Sequence, residues 1–204
     1  MTATVRTAEE AQWLAAAIGG DDEAFGRLVE AFQGPVFNLC YRMLDDPAEA
    51  EDAAQEAFLK AYRNLSRYDP ERKFVTWLLS ITSNHCVDRL RRRRLRWVSL
   101  NTMANRERIA DPAEPLEGRL SQAESDQAVR RLLDDLSPTD RAAVILCYWN
   151  DLSYADIAET LSLSEGAVKS RLHRARNELA DAWQARQQEA PWAEGRTDEA
   201  PTLQ

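Results

Sequence analysis

The sequence predicts an all-α fold of two small helical domains joined by a flexible linker, the second being a helix-turn-helix domain. Apolar residues recur at three- and four-residue steps through most of the 204 residues. Helix-capping sequences recur between these segments, and strand-like alternation is nearly absent. We therefore expect a first domain at 1–98, a linker at 99–121, a second domain at 122–186 and a disordered tail at 187–204.

Three helices account for the first domain. Residues 22–44 carry apolar side chains at helical spacing, although Gly34-Pro35 should kink or split this helix because proline lacks the amide donor. Residues 46–65 begin with a capping sequence and carry alanines along one side, which allow a neighbouring helix to approach closely. The segment 74–94 is the third helix, and its apolar side includes Trp77, which we expect to be a core residue rather than a base-stacking one.

The second domain follows a stretch with little periodicity, 99–121, which holds two prolines and a glycine. Capping sequences beginning with serine then open three of its four predicted helices. The last two helices are separated by a three-residue turn, which is helix-turn-helix spacing. The four predicted helices are 122–136, 137–149, 153–160 and 164–186.

Composition excludes several classes of protein. The mean hydropathy is −0.54 and no apolar run is long enough to cross a membrane, so we expect no membrane segment. The N-terminus MTATVRTAEE lacks the pattern of a secretory signal, which suggests a cytoplasmic protein. Cys40, Cys86 and Cys147 match neither a disulfide framework nor a metal-binding pattern, so we expect no metal and no cofactor.

Charge is strongly segregated along the chain, although the formal net charge is −8. Acidic residues dominate 21–56, whereas 60–96 has only three acidic residues, Asp69, Glu71 and Asp88. Such segregation indicates two partners of opposite sign, one of them compatible with nucleic acid. The basic residues of the second stretch are Lys60, Arg63, Arg67, Arg72, Lys73, Arg89, Arg91, Arg92, Arg93, Arg94 and Arg96.

Two surfaces are candidate interfaces on residue pattern alone. The outer face of the last helix offers donors suited to guanine edges and phosphates in a major groove, and the alternative is a solvated basic face. A row of polar residues on the second helix, Asp52, Gln55, Glu56 and Lys60, is the other candidate, with a solvated face again the alternative. The residues of the last helix are Glu165, Lys169, Ser170, His173, Arg174 and Asn177, with Arg171 and Arg176 flanking them.

Three segments together resemble the extracytoplasmic-function (ECF) group of bacterial RNA polymerase sigma factors. They are DAAQEAFLKAY at 52–62, KFVTWLLSITSNHCVDRLRR at 73–92, and LSPTDRAAVILCYWNDLSYADIAETLSLSEGAVKSRLHRARNEL at 136–179. The resemblance spans roughly 20–185 in the family's order. It implies a sigma factor that binds core RNA polymerase and directs it to promoters by recognising the −10 and −35 elements.

The resemblance also assigns roles to residues. It places Asp52, Gln55 and Glu56 against the clamp helices of the polymerase. It implies that the loop 66–73 closes over a flipped-out base, whose extrusion costs a few kcal/mol of stacking. The residues implied for the −10 element are Lys73, Asn84, Asp88, Arg91 and Arg92. Those implied for the −35 element are Glu165, Lys169, Ser170, Arg171 and Arg174.

A sigma factor is not an enzyme, and the resemblance implies control by an anti-sigma factor that masks both domains. A stand-alone helix-turn-helix regulator is the alternative, but it leaves the acidic second helix and the third-helix face unexplained. A DNA-processing enzyme would need an activated nucleophile or convergent carboxylates for metal ions. The carboxylates cluster on one exposed helix instead, so we expect no catalytic residues.

Overall fold

The computed structural model describes residues 8–103 and 129–188. All the regular structure in these two ranges is helical, which confirms the all-α prediction. The helices form two units, one on either side of 104–128. Most of the expected linker and tail, 104–121 and 189–204, lies outside the described residues.

The first unit contains four helices, α1 to α4, of which α2 and α3 begin at aspartate caps. The Asp21 carboxylate accepts hydrogen bonds from the amides of Glu23 and Ala24, and the Asp46 carboxylate accepts one of 2.7 Å from the Glu49 amide. The helices are α1 Ala8–Ile18, α2 Asp22–Leu44, α3 Pro47–Asn64 and α4 Phe74–Met103, with a short 3₁₀ turn at Leu65–Arg67.

The structure corrects three expectations about these helices. Pro35 does not split α2, which continues to Leu44 because Val36, Leu39 and Met43 beyond the proline are buried. Helix α4 reaches Met103, so residues 99–103 of the expected linker are helical, and no proline or glycine stands before Pro112 to end it. Helix α1 was not expected, and it packs on α2 through the buried Leu14 and Ala17.

The core of the first unit is formed where α2, α3 and α4 meet. The buried side of α3 is lined with alanines, which lets α2 and α4 approach closely, as the sequence predicted. The ring of Trp77 lies 5.2 Å from that of Tyr68 and 5.7 Å from that of Phe74, so Trp77 is part of an aromatic cluster under the 66–73 loop. The alanines are Ala50, Ala53, Ala54, Ala57 and Ala61.

The second unit contains four helical segments and the predicted helix-turn-helix. Ser137 and Ser153 cap α6 and α7 by accepting hydrogen bonds from the amides of Asp140 and Asp156. Ser162 makes the turn between α7 and α8 in a left-handed conformation, with φ of 54°. The segments are α5 at 129–134, α6 Pro138–Tyr148, α7 Tyr154–Leu161 and α8 Glu165–Gln188.

The two units pack directly against each other, with α2 and α4 facing α6 and α7. Arg141 lies in this interface with only 6% of its surface exposed. Its guanidinium donates to the Met43 carbonyl at 2.8 Å and pairs with Asp134 at 2.8 Å. The Met43 carbonyl belongs to the last turn of α2, where carbonyls have no helical partner, so Arg141 caps one unit from the other.

Candidate nucleic-acid interface

The acidic face of α3 is exposed, as its polar pattern predicted. Asp52, Gln55 and Glu56 all lie in solvent on the side of α3 opposite its buried alanines. The Asp52 carboxylate is 72% exposed and lies 3.9 Å from the guanidinium of Arg89 on α4, a contact too long and too exposed to occupy it fully. The face therefore presents charge and hydrogen-bonding groups on a rigid helix.

A shallow apolar groove runs between α2 and α3 beside Gln55. Val29 and Phe58 line its floor along much of its length. Phe37, Leu59 and Tyr62 are large apolar residues that remain between 38% and 47% exposed along the same two helices. Exposed apolar area rimmed by polar groups is typical of a protein–protein contact, so the acidic face of α3 and this groove form one continuous candidate surface.

Helices α3 and α4 are joined beneath this surface by a polar contact. The Lys60 ammonium donates to Nδ1 of His85 at 2.7 Å, which places the proton of the neutral imidazole on Nε2. Burial, the charge of Lys60 and that of Arg89 together hold the pKa of His85 below its ordinary value of 6.5. His85 is therefore neutral at physiological pH, and the contact fixes α3 relative to α4.

Helix α4 presents a polar stripe to solvent. Asn84, Asp88, Arg91 and Arg92 are exposed. Asp88 lies four residues after Asn84 and three and four residues before the two arginines, so the four residues share one side of the helix. The opposite side buries Leu78 and other apolar residues. The stripe combines an amide with guanidinium groups, which suits contacts to bases and phosphates.

Thr82 is a polar residue on the buried side of α4. Its hydroxyl is fully buried but donates to the Leu78 carbonyl at 2.9 Å. A buried hydroxyl with a partner costs little, so the polar residue leaves the packing of α4 intact.

The loop at 66–73 is held by its own contacts and by the second unit. The buried Tyr68 donates from its hydroxyl to the Arg72 carbonyl. The Lys73 ammonium lies 3.0 Å from both carboxylate oxygens of Asp156 at the start of α7, and Arg72 pairs with Glu159 one turn further along α7. Lys73 is thus placed at the start of α4, as predicted, but its charge is engaged within the chain.

Helix α8 presents most of the predicted −35 residues to solvent. Glu165, Lys169, Ser170 and Arg174 are exposed, and 165–169 and 170–174 are pairs separated by one helical turn. Arg171 differs, because its guanidinium lies 2.8 Å from the Asp140 carboxylate of α6 and is partly buried. The sequence did not indicate this pair, because the two residues lie 31 positions apart on different helices.

Sequence reasoning also missed the carboxylates that engage the 66–73 loop. Asp156 belongs to the capping sequence that opens α7, and Glu159 lies about one turn further along that helix. Both residues lie more than 80 positions from their partners, and a single sequence carries no record of such contacts. The capping sequence was the available indication, because it holds the Asp156 side chain at the start of α7, where Lys73 meets it.

Family models match both units. The Sigma-70 region 2 model matches residues 28–96, and the Sigma-70 region 4 model matches residues 126–179. These are the two regions of the sigma factors that serve transcription initiation, and they cover the acidic face of α3, the stripe of α4 and the helix-turn-helix. The class defined by fold and site is therefore a sigma factor with regions 2 and 4.

The relatives define the group within that class. The ECF RNA polymerase sigma factor SigW of Bacillus subtilis is 36% identical over 167 residues, which cover 78% of this chain and 89% of that protein. The chain belongs to the ECF RNA polymerase sigma factors. As an alternative sigma factor, it directs RNA polymerase to promoters.

Solved structures share the fold. The structure of CnrH in complex with the cytosolic domain of CnrY matches with a TM-score of 0.66 and 24% identity, over 87% of this chain and 98% of that one. The sigma factor RpoE in complex with the anti-sigma factor NepR from Bartonella quintana matches with a TM-score of 0.61 and 25% identity, over 78% and 96%.

The described residues contain neither a membrane-spanning helix nor a metal-binding cluster. In 8–103 and 129–188, no helix is long and apolar enough to cross a membrane. In the same ranges, no group of three or more His, Cys, Asp or Glu side chains is placed to hold a metal ion.

Proposed function

We propose that the two units divide the work of promoter recognition between three surfaces. The acidic face of α3 binds core RNA polymerase, the stripe of α4 binds the −10 element, and α8 binds the −35 element. The observation that carries this proposal is the exposure of all three surfaces on rigid helices whose opposite sides are buried. The domain division is part of the same proposal, with the first boundary moved from 98 to the end of α4 at 103 and the later boundaries kept at 121 and 186.

The polymerase contact is assigned to Asp52, Gln55 and Glu56. The apolar groove beside Gln55 adds area that a helix of the polymerase clamp can cover, and the acidic rim favours a basic partner. A small number of such central residues usually carries most of the binding free energy of an interface.

The −10 contact is assigned to Asn84, Asp88, Arg91, Arg92 and Lys73. Asn84 lies far enough from the arginines on the stripe to reach a base while Arg91 and Arg92 neutralise phosphates. The aromatic cluster packs under the 66–73 loop and supports it. A pocket that holds an extruded nucleobase needs such support.

The −35 contact is assigned to Glu165, Lys169, Ser170, Arg171 and Arg174. These residues lie on the first three turns of α8, the part of a recognition helix that enters the major groove. Glu165 can accept from a cytosine amine, and the lysine and arginines can donate to guanine or to phosphates. Arg171 must leave Asp140 if it is to reach DNA.

The setting of this function follows from the family. We place the protein in the cytoplasm, where RNA polymerase works, and assign it no catalytic activity and no cofactor. The likeness to RpoE bound to NepR supports an anti-sigma factor as the regulator, which would cover the same surfaces that serve transcription.

Footprinting with core RNA polymerase tests this proposal. A pool of promoter fragments is treated with the chain alone, with core polymerase alone and with both. We expect protection of two elements at a fixed spacing only with both proteins, because each surface alone contributes part of the binding free energy. Strong protection of a single duplex element by the chain alone, unchanged by core polymerase, would instead identify a stand-alone helix-turn-helix regulator.

A further inference from the structure

We propose that Arg72 and Lys73 form an anion-binding corner that the carboxylates of α7 occupy in the free chain and that promoter phosphates occupy in the open complex. The α7 carboxylates, Asp156 and Glu159, thus act as an internal substitute for DNA. The proposal rests on the proposed function, because it names DNA as the competing ligand. It goes further by assigning a binding role to Arg72 and a regulatory one to α7.

The geometry of the corner resembles recognition of an anion. Lys73 approaches both oxygens of Asp156 at 3.0 Å, and Arg72 engages Glu159. Positions 156 and 159 are three residues apart on α7, so their carboxylates lie on one side of that helix. Two adjacent cations thus meet two adjacent anions, as they would meet successive phosphates of a nucleic-acid strand.

The α7 carboxylates are held in place before the corner meets them. The Ser153 hydroxyl donates to Asp156 at 2.6 Å and in turn accepts from the Asp156 amide. Burial alone would favour the neutral acid, but the hydrogen bonds from Ser153 and Lys73 lower the pKa of Asp156 below its ordinary value. Asp156 therefore remains charged at physiological pH, with its side chain only 13% exposed.

The ion pairs of the corner are weak enough for DNA phosphates to replace the α7 carboxylates. The side chains of Arg72 and Lys73 are 41% and 48% exposed, so salt and solvent reach both pairs. Exposed ion pairs of this kind change an equilibrium by about two- to fivefold each. A strand with several phosphates can therefore displace α7, whereas isolated anions at low concentration cannot.

Occupation of the corner bears on promoter recognition because it lies beside the 66–73 loop. While α7 is docked, the Asp156 carboxylate occupies the ammonium of Lys73, one of the residues assigned to the −10 element. The apparent affinity of a protein for its ligand is its intrinsic affinity multiplied by the fraction of molecules in the competent state. The free chain should therefore bind the −10 strand less tightly than the corner would allow once opened.

The test compares a variant that empties the corner with a matched control in the full-length chain. Asp156→Asn with Glu159→Gln removes the two negative charges of α7 and keeps the size of each side chain and one of its two acceptor oxygens. Asp151→Asn with Asp181→Asn removes the same charge from exposed positions of the second unit that make no contact with the corner. Circular dichroism melting checks that both variants fold.

The first readout is the distance between the units, which needs no DNA. Spin labels are placed at Glu30→Cys and Glu178→Cys, both exposed, in a chain with Cys147→Ser. We expect the Asp156/Glu159 variant to broaden the distance distribution towards longer values, and the control to match the unsubstituted chain. A separate charge-exchange variant, Lys73→Asp with Asp156→Lys, keeps an ion pair at this position and should show the narrow distance distribution of the unsubstituted chain. An unchanged distribution in the Asp156/Glu159 variant would overturn the proposal.

The second readout is fluorescence anisotropy with a single-stranded −10 oligonucleotide. We expect the Asp156/Glu159 variant to bind about four- to twenty-five-fold more tightly than the unsubstituted chain, the product of two exposed pairs. An equal gain in the control would show a net-charge effect only and would overturn the role of DNA. Failure of the sigma function itself would show separately, as absence of a footprint with core polymerase.

Discussion

Helix α8 and the Arg72–Lys73 corner are both basic, but they differ in whether their charges are paired within the chain. Lys169, Ser170 and Arg174 on α8 lie in solvent, whereas the charges of Arg72 and Lys73 are paired with α7. Among the residues assigned to the −35 element, Arg171 is held by an ion pair within the second unit, whereas both residues of the corner are held by the opposite unit. The difference indicates that −35 contact can precede −10 contact, since only the second requires the two units to separate.

The largest expected effect comes from α8. Lys169→Ala with Arg174→Ala removes two donors to DNA, each worth about 1–3 kcal/mol, so binding to the −35 duplex should fall by about 30-fold or more. Anisotropy with a duplex carrying the −35 element measures it. Asp181→Ala, further along α8, serves as the control. A loss of less than about threefold would show that α8 is not the reading helix.

The acidic face of α3 should give the second largest effect, and on a different partner. Gln55→Ala with Glu56→Ala should weaken binding to core RNA polymerase by about tenfold or more, because even one residue at the centre of an interface costs about 1–2 kcal/mol. Titration of labelled protein with core polymerase measures this loss, with Glu23→Ala on α2 as the control. Loss of −35 binding in the same variant would contradict the division between the surfaces.

Arg171 lies on α8, but like the residues of the corner it is paired with a carboxylate of the chain. Arg171→Ala breaks the pair with Asp140 and should cost about 1 kcal/mol of unfolding free energy, together with a loss of −35 binding. Asp140→Ala breaks the same pair but frees the guanidinium. If Arg171 contacts DNA, Asp140→Ala should retain or increase −35 binding. Equal losses of binding in the two variants would assign Arg171 a structural role alone.

The smallest effect concerns the Lys60–His85 contact. The folded chain holds the pKa of His85 below the ordinary value of 6.5, so the unfolded chain takes up the proton first as pH falls. The free energy of unfolding should therefore decrease below about pH 6.5, with a slope of at most about 1.4 kcal/mol per pH unit. Urea unfolding at pH 7.5 and 5.5 measures the decrease, and His85→Gln should reduce it.

His173 provides the control for this pH dependence. It is exposed on α8 and makes no contact with α3 or α4, so His173→Gln should leave the decrease unchanged. A decrease that persists in the His85→Gln variant would assign it to other groups.

The sequence predicted the helices that have local causes. Capping residues placed the starts of α3, α6 and α7 because each cap bonds to an amide three residues away. Pro35 was misread, because the loss of one hydrogen bond was offset by burial of Val36, Leu39 and Met43 beyond it. Local rules find where a helix can start, but packing decides where it stops.

In the candidate site too, local features could be predicted from the sequence and contacts between helices could not. The exposed positions of α3, α4 and α8 follow from helical periodicity, and the family resemblance supplied their roles. The pairs Lys73–Asp156, Arg72–Glu159 and Arg171–Asp140 could not be predicted, since each depends on how separate helices pack. These pairs determine which of the basic residues are available to DNA in the free chain.

Run-off transcription tests the central claim most directly. Core RNA polymerase is incubated with a library of promoter fragments, with and without this chain, and the transcripts are sequenced from their 5′ ends. The account predicts defined start sites that appear only when the chain is added, and that are lost in both the α3 and the α8 double variants. Absence of added start sites, together with absence of binding to core polymerase, would contradict it.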